Sequence, residues 1–495
     1  MRPGSARTVW NPAARGPTAR GSSRLAQVME LKAVTSDLVA KLASPRSTPG
    51  ADPVDPYLPG SGNLGYRVTR YELDLNYKMS PNNLRGEAVV TATATEPLES
   101  IQLDLSPHLT VSKVLLDRGR VTRYTRPRGK LSITPAEPVP VGSAFTLTIR
   151  YSGNPKPIRG PWGEVGWEEL TDGVLVAGQP NGAASWFPCD DHPSAKAPFR
   201  IRLTTDSPYR AVVTGTLVGK KRSGSTTTWD FDLPHPTSPY LVSVNLGQYE
   251  HLEATDGPVP FHAFVPAGLK RGFREAFARQ LEMITVFSDL FGPYPFDSYK
   301  VVVTDDELEI PLEAMGMSTF GRNTCEAAGR PDSDERLIAH ELAHQWFGNA
   351  VTVAEWKDIW LHEGFACYAE WLWTEFSGGA DARSHALRYY SKLQHSPQNI
   401  LLADPGPEDM FDDRIYKRGA LTLHALRQTI GDERFFALLR AWVARYSGGT
   451  ATTDDFLHLA ADHSPVDLRP LWNAWLFSEP LPPTLGMPDD DAGSH

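Results

Sequence analysis

The spacing of the apolar residues changes near residue 270, and this change restricts the chain to two different kinds of domain in succession. Between about residues 65 and 250, apolar and polar residues alternate in short runs separated by turn residues, as they do over 71–77. Such alternation predicts antiparallel strands with one buried face and one exposed face. From Phe273 to Phe287 the apolar residues recur three and four positions apart, which predicts one amphipathic helix, and helical patterns dominate after it.

These two patterns divide the 495 residues into a β-rich domain and a mainly helical domain, flanked by stretches without either pattern. Residues 44–63 are rich in Pro, Gly, Ser and Asp, which is typical of linkers. The predicted segments are a disordered extension and linker (1–63), a β-rich N-terminal domain (64–253), a mainly helical domain (254–483) and a disordered tail (484–495). Helices are predicted over 333–349, 361–377, 380–395, 416–430, 433–446 and 453–462.

The composition argues against two kinds of partner. The net charge is −10 at pH 7, whereas non-specific binding to nucleic acid requires basic patches that face the phosphates. The chain also lacks a run of about 18 apolar residues, which a membrane-spanning helix would need. We therefore expect no nucleic-acid partner and no membrane span.

The cysteines and the N-terminus bear on location. Cys189, Cys325 and Cys367 show no paired spacing, so they are expected to be reduced thiols rather than a disulfide framework. Residues 1–28 lack the apolar core of a secretory signal, and they contain arginines but no acidic residue, as in a transit peptide or in untranslated sequence before Met29. Disorder or a misassigned start is the preferred interpretation, and a cytoplasmic location is expected.

The segment HELAH, residues 340–344, places two histidines on one face of a predicted helix. His340 and His344 are four residues apart, about one helical turn, so that their imidazoles can converge on one metal ion. Glu341 lies beside them and can take a proton from a water on that ion. On its own, this pattern is also compatible with a helix whose two histidines are solvated.

A third ligand candidate follows in the next predicted helix. Glu363 is separated from His344 by eighteen residues and lies near the start of that helix. Two antiparallel helices can bring its carboxylate against the histidine pair. Two histidines and one glutamate leave a coordination position open for water, which is the ligand pattern of a catalytic zinc site holding one ion.

Together, HELAHQWFGN and the later WLHEGFA resemble the gluzincin zinc metallopeptidases of the aminopeptidase N and leukotriene hydrolase type. The resemblance extends over roughly residues 65–483. It implies a saddle-shaped antiparallel β domain followed by a thermolysin-like, mainly helical zinc catalytic domain. It also implies a zinc metalloaminopeptidase that acts on peptides with a free N-terminus. Within that family we expect a short form without C-terminal domains.

The segment IPLEAMG, residues 310–316, is similar to the family's Gly-x-Met-Glu-Asn signature. The resemblance assigns Glu313 to the binding of the substrate's α-amine, because a carboxylate in a closed cleft pairs well with an ammonium group. Three positions depart from the pattern, namely Ile310, Pro311 and Ala314. Proline cannot donate a backbone hydrogen bond, so contacts to the substrate backbone are expected to differ here.

Three further residues are assigned by the same resemblance. Tyr416 in YKRGA looks like the family tyrosine that donates a hydrogen bond to the developing oxyanion, with Arg418 in place of the family's lysine. Gln179 matches a recurrent glutamine of the β domain that helps to bind the substrate's N-terminus. Met315 is expected to line the substrate pocket.

Alternative functions remain open from the sequence. A zinc endopeptidase would share the metal ligands but would cleave peptides with a blocked N-terminus. A catalytically idle peptide-binding module would use the cleft without chemistry, and one relative in the family hydrolyses an epoxide. The sequence does not specify the preferred N-terminal residue, the physiological substrate or the oligomeric state.

Overall fold

The computed structural model describes residues 54–117, 120–121, 123–327 and 334–485. The predicted disordered extension falls outside this range up to residue 53, and so does the predicted tail from residue 486 onward. Among the described residues, no helix is both long enough and apolar enough to cross a membrane.

Short strands build the first domain, as the alternating pattern predicts. They are β1 (Tyr66–Lys78), β2 (Asn83–Ala94), β3 (Ile101–Asp104), β4 (Leu109–Leu116), β5 (Arg120–Val121), β6 (Arg123–Thr125), β7 (Lys130–Thr134), β8 (Ala144–Gly153), β9 (Ile158–Gly160), β10 (Gly163–Leu170), β11 (Gly173–Ala177), β12 (Ala197–Asp206), β13 (Arg210–Val213), β14 (Thr216–Ser223), β15 (Thr226–Thr237) and β16 (Val244–Gly247).

Three sheets form from these strands. The largest has the order β14-β15-β12-β1-β2-β8-β4-β5, and its neighbours are antiparallel except for the parallel pair β1 and β12. A five-stranded sheet follows the order β13-β16-β11-β10-β9, and a small one the order β3-β7-β6. In β1 the residues from Tyr71 to Lys78 alternate between buried and exposed, so the predicted one-sided burial is confirmed.

The second domain combines strands with helices. Its strands are β17 (Tyr249–Ala254), β18 (Phe261–Pro266), β19 (Tyr299–Val303), β20 (Leu312–Ala314), β21 (Met317–Phe320), β22 (Thr352–Val353) and β23 (Thr450–Ala451). Its helices are α1 (Lys270–Ala276), α2 (Gln280–Phe291), α3 (Arg322–Glu326), α4 (Asp334–Ala343), α5 (Trp360–Phe376), α6 (Ala382–Leu393), α7 (Asp413–Ile430), α8 (Asp432–Tyr446), α9 (Thr453–Asp462) and α10 (Arg469–Trp475).

A five-stranded mixed sheet opens this domain, and the sequence did not indicate it. Its order is β17-β18-β19-β21-β20, with parallel pairs on both sides of β19. All five residues of β19 are buried, so the strand shows no alternation that could be recognised. The chain passes from the last strand of the first domain to this sheet at Gln248, five residues before the predicted boundary.

Residues 54–63 are folded, although their Pro and Gly content predicted a disordered linker. Asp55 is 1% exposed, and its carboxylate accepts a hydrogen bond from the Trp356 amide at 2.8 Å. The Tyr57 hydroxyl donates to Asp404 at 2.5 Å, and the Asn63 amide donates to Asp190 at 2.8 Å. This segment therefore attaches to both domains, and the polar side chains that suggested solvent exposure are used for these contacts.

Two glycines set the distance between α5 and α7, the helix pair that carries Glu363 and Tyr416. At Gly364 an added Cβ would lie 2.8 Å from the Cα of Gly419, and at Gly419 it would lie 2.6 Å from the Cα of Gly364. Only the absence of both side chains allows this approach. Glu363 precedes one of these glycines directly, and Tyr416 lies about one turn before the other, so the contact places both side chains.

Gly364→Ala is expected to destabilise the protein by about 1 to 3 kcal/mol, because backbone must move to accommodate the new methyl group. Binding of the metal ion that the sequence predicts at Glu363 should also weaken as this residue shifts with its helix. Thermal unfolding measures the first effect. Gly268→Ala is the matched control, since a Cβ at Gly268 meets no atom within 4 Å. An unchanged unfolding temperature in Gly364→Ala would contradict the proposed role of the helix contact.

Candidate active site

The histidine pair lies at the end of α4, deep in the second domain. His340 is 7% exposed and His344 is 2% exposed, and their ring centroids are 4.8 Å apart. The helix ends at Ala343, earlier than predicted, and His344 occupies the turn that follows. The chain then turns at Gly348, which has a φ of 125°. Even so, the one-turn spacing keeps both imidazoles on one side, as the sequence predicted.

Hydrogen bonds at the Nδ1 atoms orient both rings. His340 Nδ1 lies 2.9 Å from Glu370 Oε1, and His344 Nδ1 lies 3.0 Å from the carbonyl oxygen of Phe347. A carbonyl oxygen and an ionised carboxylate only accept, so each Nδ1 carries the proton and donates. The Nε2 lone pair of each neutral imidazole is therefore available for a metal, a common arrangement of metal-binding histidines.

Glu363 faces both Nε2 atoms. Its Oε2 lies 3.4 Å from His340 Nε2 and 3.5 Å from His344 Nε2. Ligands at the usual zinc distances of 2.0–2.2 Å in a tetrahedron lie about 3.3–3.5 Å apart, which matches these separations. Three buried ligands with available lone pairs and this spacing fit one zinc ion, with the fourth position left for water or substrate.

The charges of the three ligands are strongly coupled. Burial alone would lower the pKa of His344, but the Glu363 carboxylate raises that pKa to about 10. Burial alone would raise the pKa of Glu363, but His344 and His340 hold it well below its usual range. Glu363 is therefore ionised at neutral pH, and a metal ion bound here would replace the proton that His344 otherwise shares with this carboxylate.

Glu341 is placed to act as a base beside this centre. Its side chain is 4% exposed, and Oε2 is buried without a hydrogen-bond partner among the described residues. Burial, opposed by His340, raises the pKa of this carboxyl to about 7. A carboxylate that takes up a proton near neutral pH suits general acid–base chemistry.

Glu313 lies on β20, and hydrogen bonds tie the β20–β21 hairpin to the metal-binding segment. The amide of Gly316 donates to Gln345 Oε1 at 2.9 Å, and Asn349 Nδ2 donates to the carbonyl of Ala314 at 2.8 Å. Burial raises the pKa of Glu313, while His344 lowers it. The carboxylate thus lies within electrostatic reach of the candidate metal ligands. It belongs to residues 310–316, the segment in which three positions depart from the family signature.

Tyr416 contacts the site from α7. Its ring is roughly parallel to that of His340, with centroids 6.0 Å apart and planes 20° from each other. Burial and the charges of Glu363 and Glu313 raise the pKa of its phenol well above the usual value, so it remains a neutral donor. Arg418, which replaces the family's lysine, instead donates to the main-chain carbonyls of Ile400 and Trp475.

Two predicted substrate-binding residues are less directly placed. Gln179 follows β11 and is partly buried, and its Nε2 has no partner among the described residues. Met315 is 2% exposed, and its amide donates to the carbonyl of Leu241 at 3.1 Å. It also lines a half-open surface depression together with Phe296. Their substrate-binding roles stay predictions.

Sequence analysis missed two residues that adjoin the site. Glu370 lies seven residues after Glu363 on α5, two turns along the same helix, and this spacing was a signal that could have identified it. Tyr240 gave no such signal. It is 3% exposed, and its hydroxyl has no partner among the described residues. Burial and the charges of Glu313 and Glu363 raise its pKa, so it also lies within electrostatic reach of the centre.

Glu370→Gln is expected to weaken zinc binding by about 10- to 100-fold, because the carboxylate that makes His340 a stronger ligand is lost. Burial alone would raise the pKa of Glu370, but Lys417, His340 and Arg336 lower it to about 2, so its charge is present at neutral pH. Competition with a chromogenic chelator measures the affinity. Glu375→Gln on the same helix is the control, and equal affinities in the two variants would refute the orienting role.

Comparison with known families agrees with this geometry. Residues 68–241 match the peptidase M1 N-terminal domain, and residues 275–475 match the peptidase family M1 domain. The second match contains the three candidate metal ligands together with Glu341, Glu313 and Tyr416. The first match contains Gln179 and Tyr240.

Curated relatives share the family at low identity. Leucyl aminopeptidase of Saccharolobus solfataricus is 24% identical over 441 residues, which is 84% of this chain and 54% of the relative. Aminopeptidase M1-D of Oryza sativa subsp. japonica is 27% identical over 316 residues, 60% of this chain and 36% of the relative. The chain thus spans between about a third and about half of these relatives' length.

A solved structure matches over its entire length. The M1 zinc metallopeptidase from Deinococcus radiodurans is 32% identical, with a TM-score of 0.80 over 88% of this chain and 100% of that chain. A mutant of that enzyme has been solved with a Tyr-Ser-Ala substrate. The saddle-type β domain and the thermolysin-like catalytic domain are confirmed by this match, as is zinc as the cofactor. The chain belongs to peptidase family M1.

Proposed function

We propose that this protein is a zinc aminopeptidase that removes the N-terminal residue from peptides. The observation that carries the proposal is the position of Glu313, because the hairpin that contains it is hydrogen-bonded to the segment that follows His344. A carboxylate held there can bind the substrate's ammonium group and so fix cleavage at the chain end. The proposal is also supported by the aminopeptidase names of the relatives and by the Tyr-Ser-Ala substrate bound in the Deinococcus radiodurans mutant structure.

Each site residue has a distinct part in the proposed reaction. His340, His344 and Glu363 would hold a zinc ion, which would supply a Lewis acid that polarises a carbonyl and makes water more acidic. Glu341 takes a proton from the attacking water and returns it to the leaving amine. Tyr416 donates a hydrogen bond to the oxygen on which negative charge develops. Glu313, with help from Gln179, holds the substrate's ammonium group.

Tyr416→Phe is expected to lower kcat by about 10²- to 10³-fold, because one donor to the developing oxyanion is lost while the ring remains. KM should change little, since that hydrogen bond strengthens in the transition state. Steady-state kinetics on an aminoacyl substrate measures both quantities. Tyr389→Phe is the matched control, as Tyr389 stacks on Trp371 and lies outside the site. A rise in KM with unchanged kcat would contradict the oxyanion role.

A panel of aminoacyl fluorogenic substrates and their N-acetylated versions tests the proposal. Free-amine substrates should be hydrolysed, and the activity should vanish with a chelator and return with zinc. Hydrolysis of both series at the same rate would instead identify the endopeptidase alternative. Retained zinc without hydrolysis of any peptide would favour the idle binding module or a non-peptide substrate.

We also propose that the β-rich domain and the catalytic domain meet at Gln248 rather than at residue 253, because β17 belongs to the five-stranded mixed sheet. A cytoplasmic location is also proposed, supported by the buried thiols of Cys189 and Cys367. Fractionation of cells that produce the full chain tests the location, and recovery in a membrane or organelle fraction would refute it.

A further inference from the structure

A second group of potential metal ligands lies on the hairpin formed by β17 and β18, outside the catalytic centre. In the antiparallel register Glu253 pairs with His262, and His251 pairs with Phe264. Residues two apart on a strand share a face, so His251, Glu253 and His262 project to the same side of the hairpin. The proposed aminopeptidase reaction uses none of them.

The three side chains converge at their tips. His251 Nε2 lies 3.2 Å from His262 Nδ1, and that Nδ1 lies 3.9 Å from Glu253 Oε1. One ligand atom from each residue lies within 4.8 Å of the other two. Ligands on one transition-metal ion are about 3.3 Å apart when tetrahedral, so small side-chain rotations suffice to place all three on one ion.

The surroundings hold one imidazole in position. The His251 ring is stacked on Phe264, with centroids 4.7 Å apart and planes 7° from parallel. Arg210 from the first domain lies against the same phenyl ring, 5.7 Å from its centroid. The hydrogen bond between the two imidazoles explains why these rings lie close together, but it does not explain why the Glu253 carboxylate lies beside them.

Solvent reaches this group, in contrast to the buried catalytic ligands. The side chain of Glu253 is 52% exposed and that of His262 is 24% exposed. Water can therefore complete the coordination of an ion, as it does in open metal sites. Two imidazoles and one carboxylate suit zinc and neighbouring divalent transition metals better than calcium or magnesium, which prefer oxygen ligands.

We propose that His251, Glu253 and His262 form a second site for a divalent transition-metal ion, separate from the catalytic zinc. An ion there would link the first two strands of the catalytic domain directly after the chain leaves the β domain at Gln248. Because the ion binds the folded hairpin, the free energy of unfolding rises with the logarithm of the free metal concentration once the site begins to fill. The site thus makes thermal stability depend on metal beyond one equivalent.

Zinc titration of the full chain tests this proposal. Protein carrying one equivalent of zinc is titrated with Zn²⁺ against a chromogenic chelator, and the unfolding temperature is measured at each ratio. The wild type should bind a second equivalent and unfold at a higher temperature with it. The double variant His251→Ala, His262→Ala should bind only the first equivalent, show no zinc-dependent rise and retain aminoacyl hydrolysis.

Two single variants sharpen the result. Glu253→Gln should bind the second equivalent at least about tenfold more weakly while folding normally, since only one exposed oxygen changes. His235→Ala is the matched control, because His235 is a partly exposed histidine near Asp297, at 3.6 Å, and should keep the second equivalent. The proposal would be overturned if the wild type bound only one equivalent of zinc, or if the double variant still bound a second equivalent.

Discussion

Glu341→Gln is expected to bind zinc as the wild type does and to lose hydrolytic activity by about 10²- to 10⁴-fold. The amide is the same size as the carboxyl but cannot take a proton from water. Glu341 supplies none of the three ligand atoms in the His340, His344 and Glu363 set, so the metal should remain. Metal analysis and steady-state kinetics on the same sample measure both properties.

Glu335→Gln is the matched control for this variant. Glu335 lies on the same helix, α4, but its side chain is 36% exposed and interacts with Arg279 and Trp373. Its replacement should leave activity near that of the wild type. If Glu341→Gln retained full activity, the assigned base would be wrong. If it lost zinc as well as activity, the residue would be needed to build the site, and its role as a base would have to be tested by other means.

Glu313→Gln is expected to reduce kcat/KM on free-amine substrates by about 30- to 5,000-fold. This range corresponds to the 2 to 5 kcal/mol that is lost when one partner of a buried, hydrogen-bonded charge pair is removed. The amide still accepts a hydrogen bond from the substrate's ammonium group but no longer neutralises its charge. Kinetics on aminoacyl and N-acetylated aminoacyl substrates measures the change in preference between the two series.

The control for this variant is Glu307→Gln, a change of the same kind at an exposed position six residues earlier in the chain. Zinc content should be unchanged in both proteins. In the wild type, N-acetylated substrates should be hydrolysed far more slowly than free-amine substrates, and Glu313→Gln should reduce the difference between the two rates. An equal loss on both series would instead show that Glu313 supports the metal site rather than amine recognition.

The closeness of the three candidate metal ligands was predictable from sequence because helical geometry links two of them locally. His340 and His344 are related by one turn, and Glu363 follows at a spacing shared with a known family. The proposed contribution of Glu370 depends on its hydrogen bond to His340, which joins two helices. Periodicity places a residue on a helix face, but it does not reveal which neighbouring helix that face meets.

The fold was predictable for strands and helices that bury one face and expose the other. The alternation in β1 and its neighbours predicted the first domain, and the spacing of apolar residues predicted α5 to α9 to within a few residues. The mixed sheet was missed because β19 is buried on both faces, and the single helix expected after Phe273 is divided into α1 and α2. The ordered structure of residues 54–63 was also missed, because it depends on contacts with residues that are far away in the sequence.

The central claim is tested most directly by following the digestion of one peptide by mass spectrometry over time. The zinc-loaded protein is given this peptide in two forms, with a free N-terminus and with an acetylated N-terminus. The account predicts that the free peptide loses residues one at a time from its N-terminus while the acetylated peptide stays intact, and that Glu341→Gln leaves both peptides intact. Internal fragments from both peptides would contradict the account, because cleavage would then be independent of the ammonium group that Glu313 is proposed to bind.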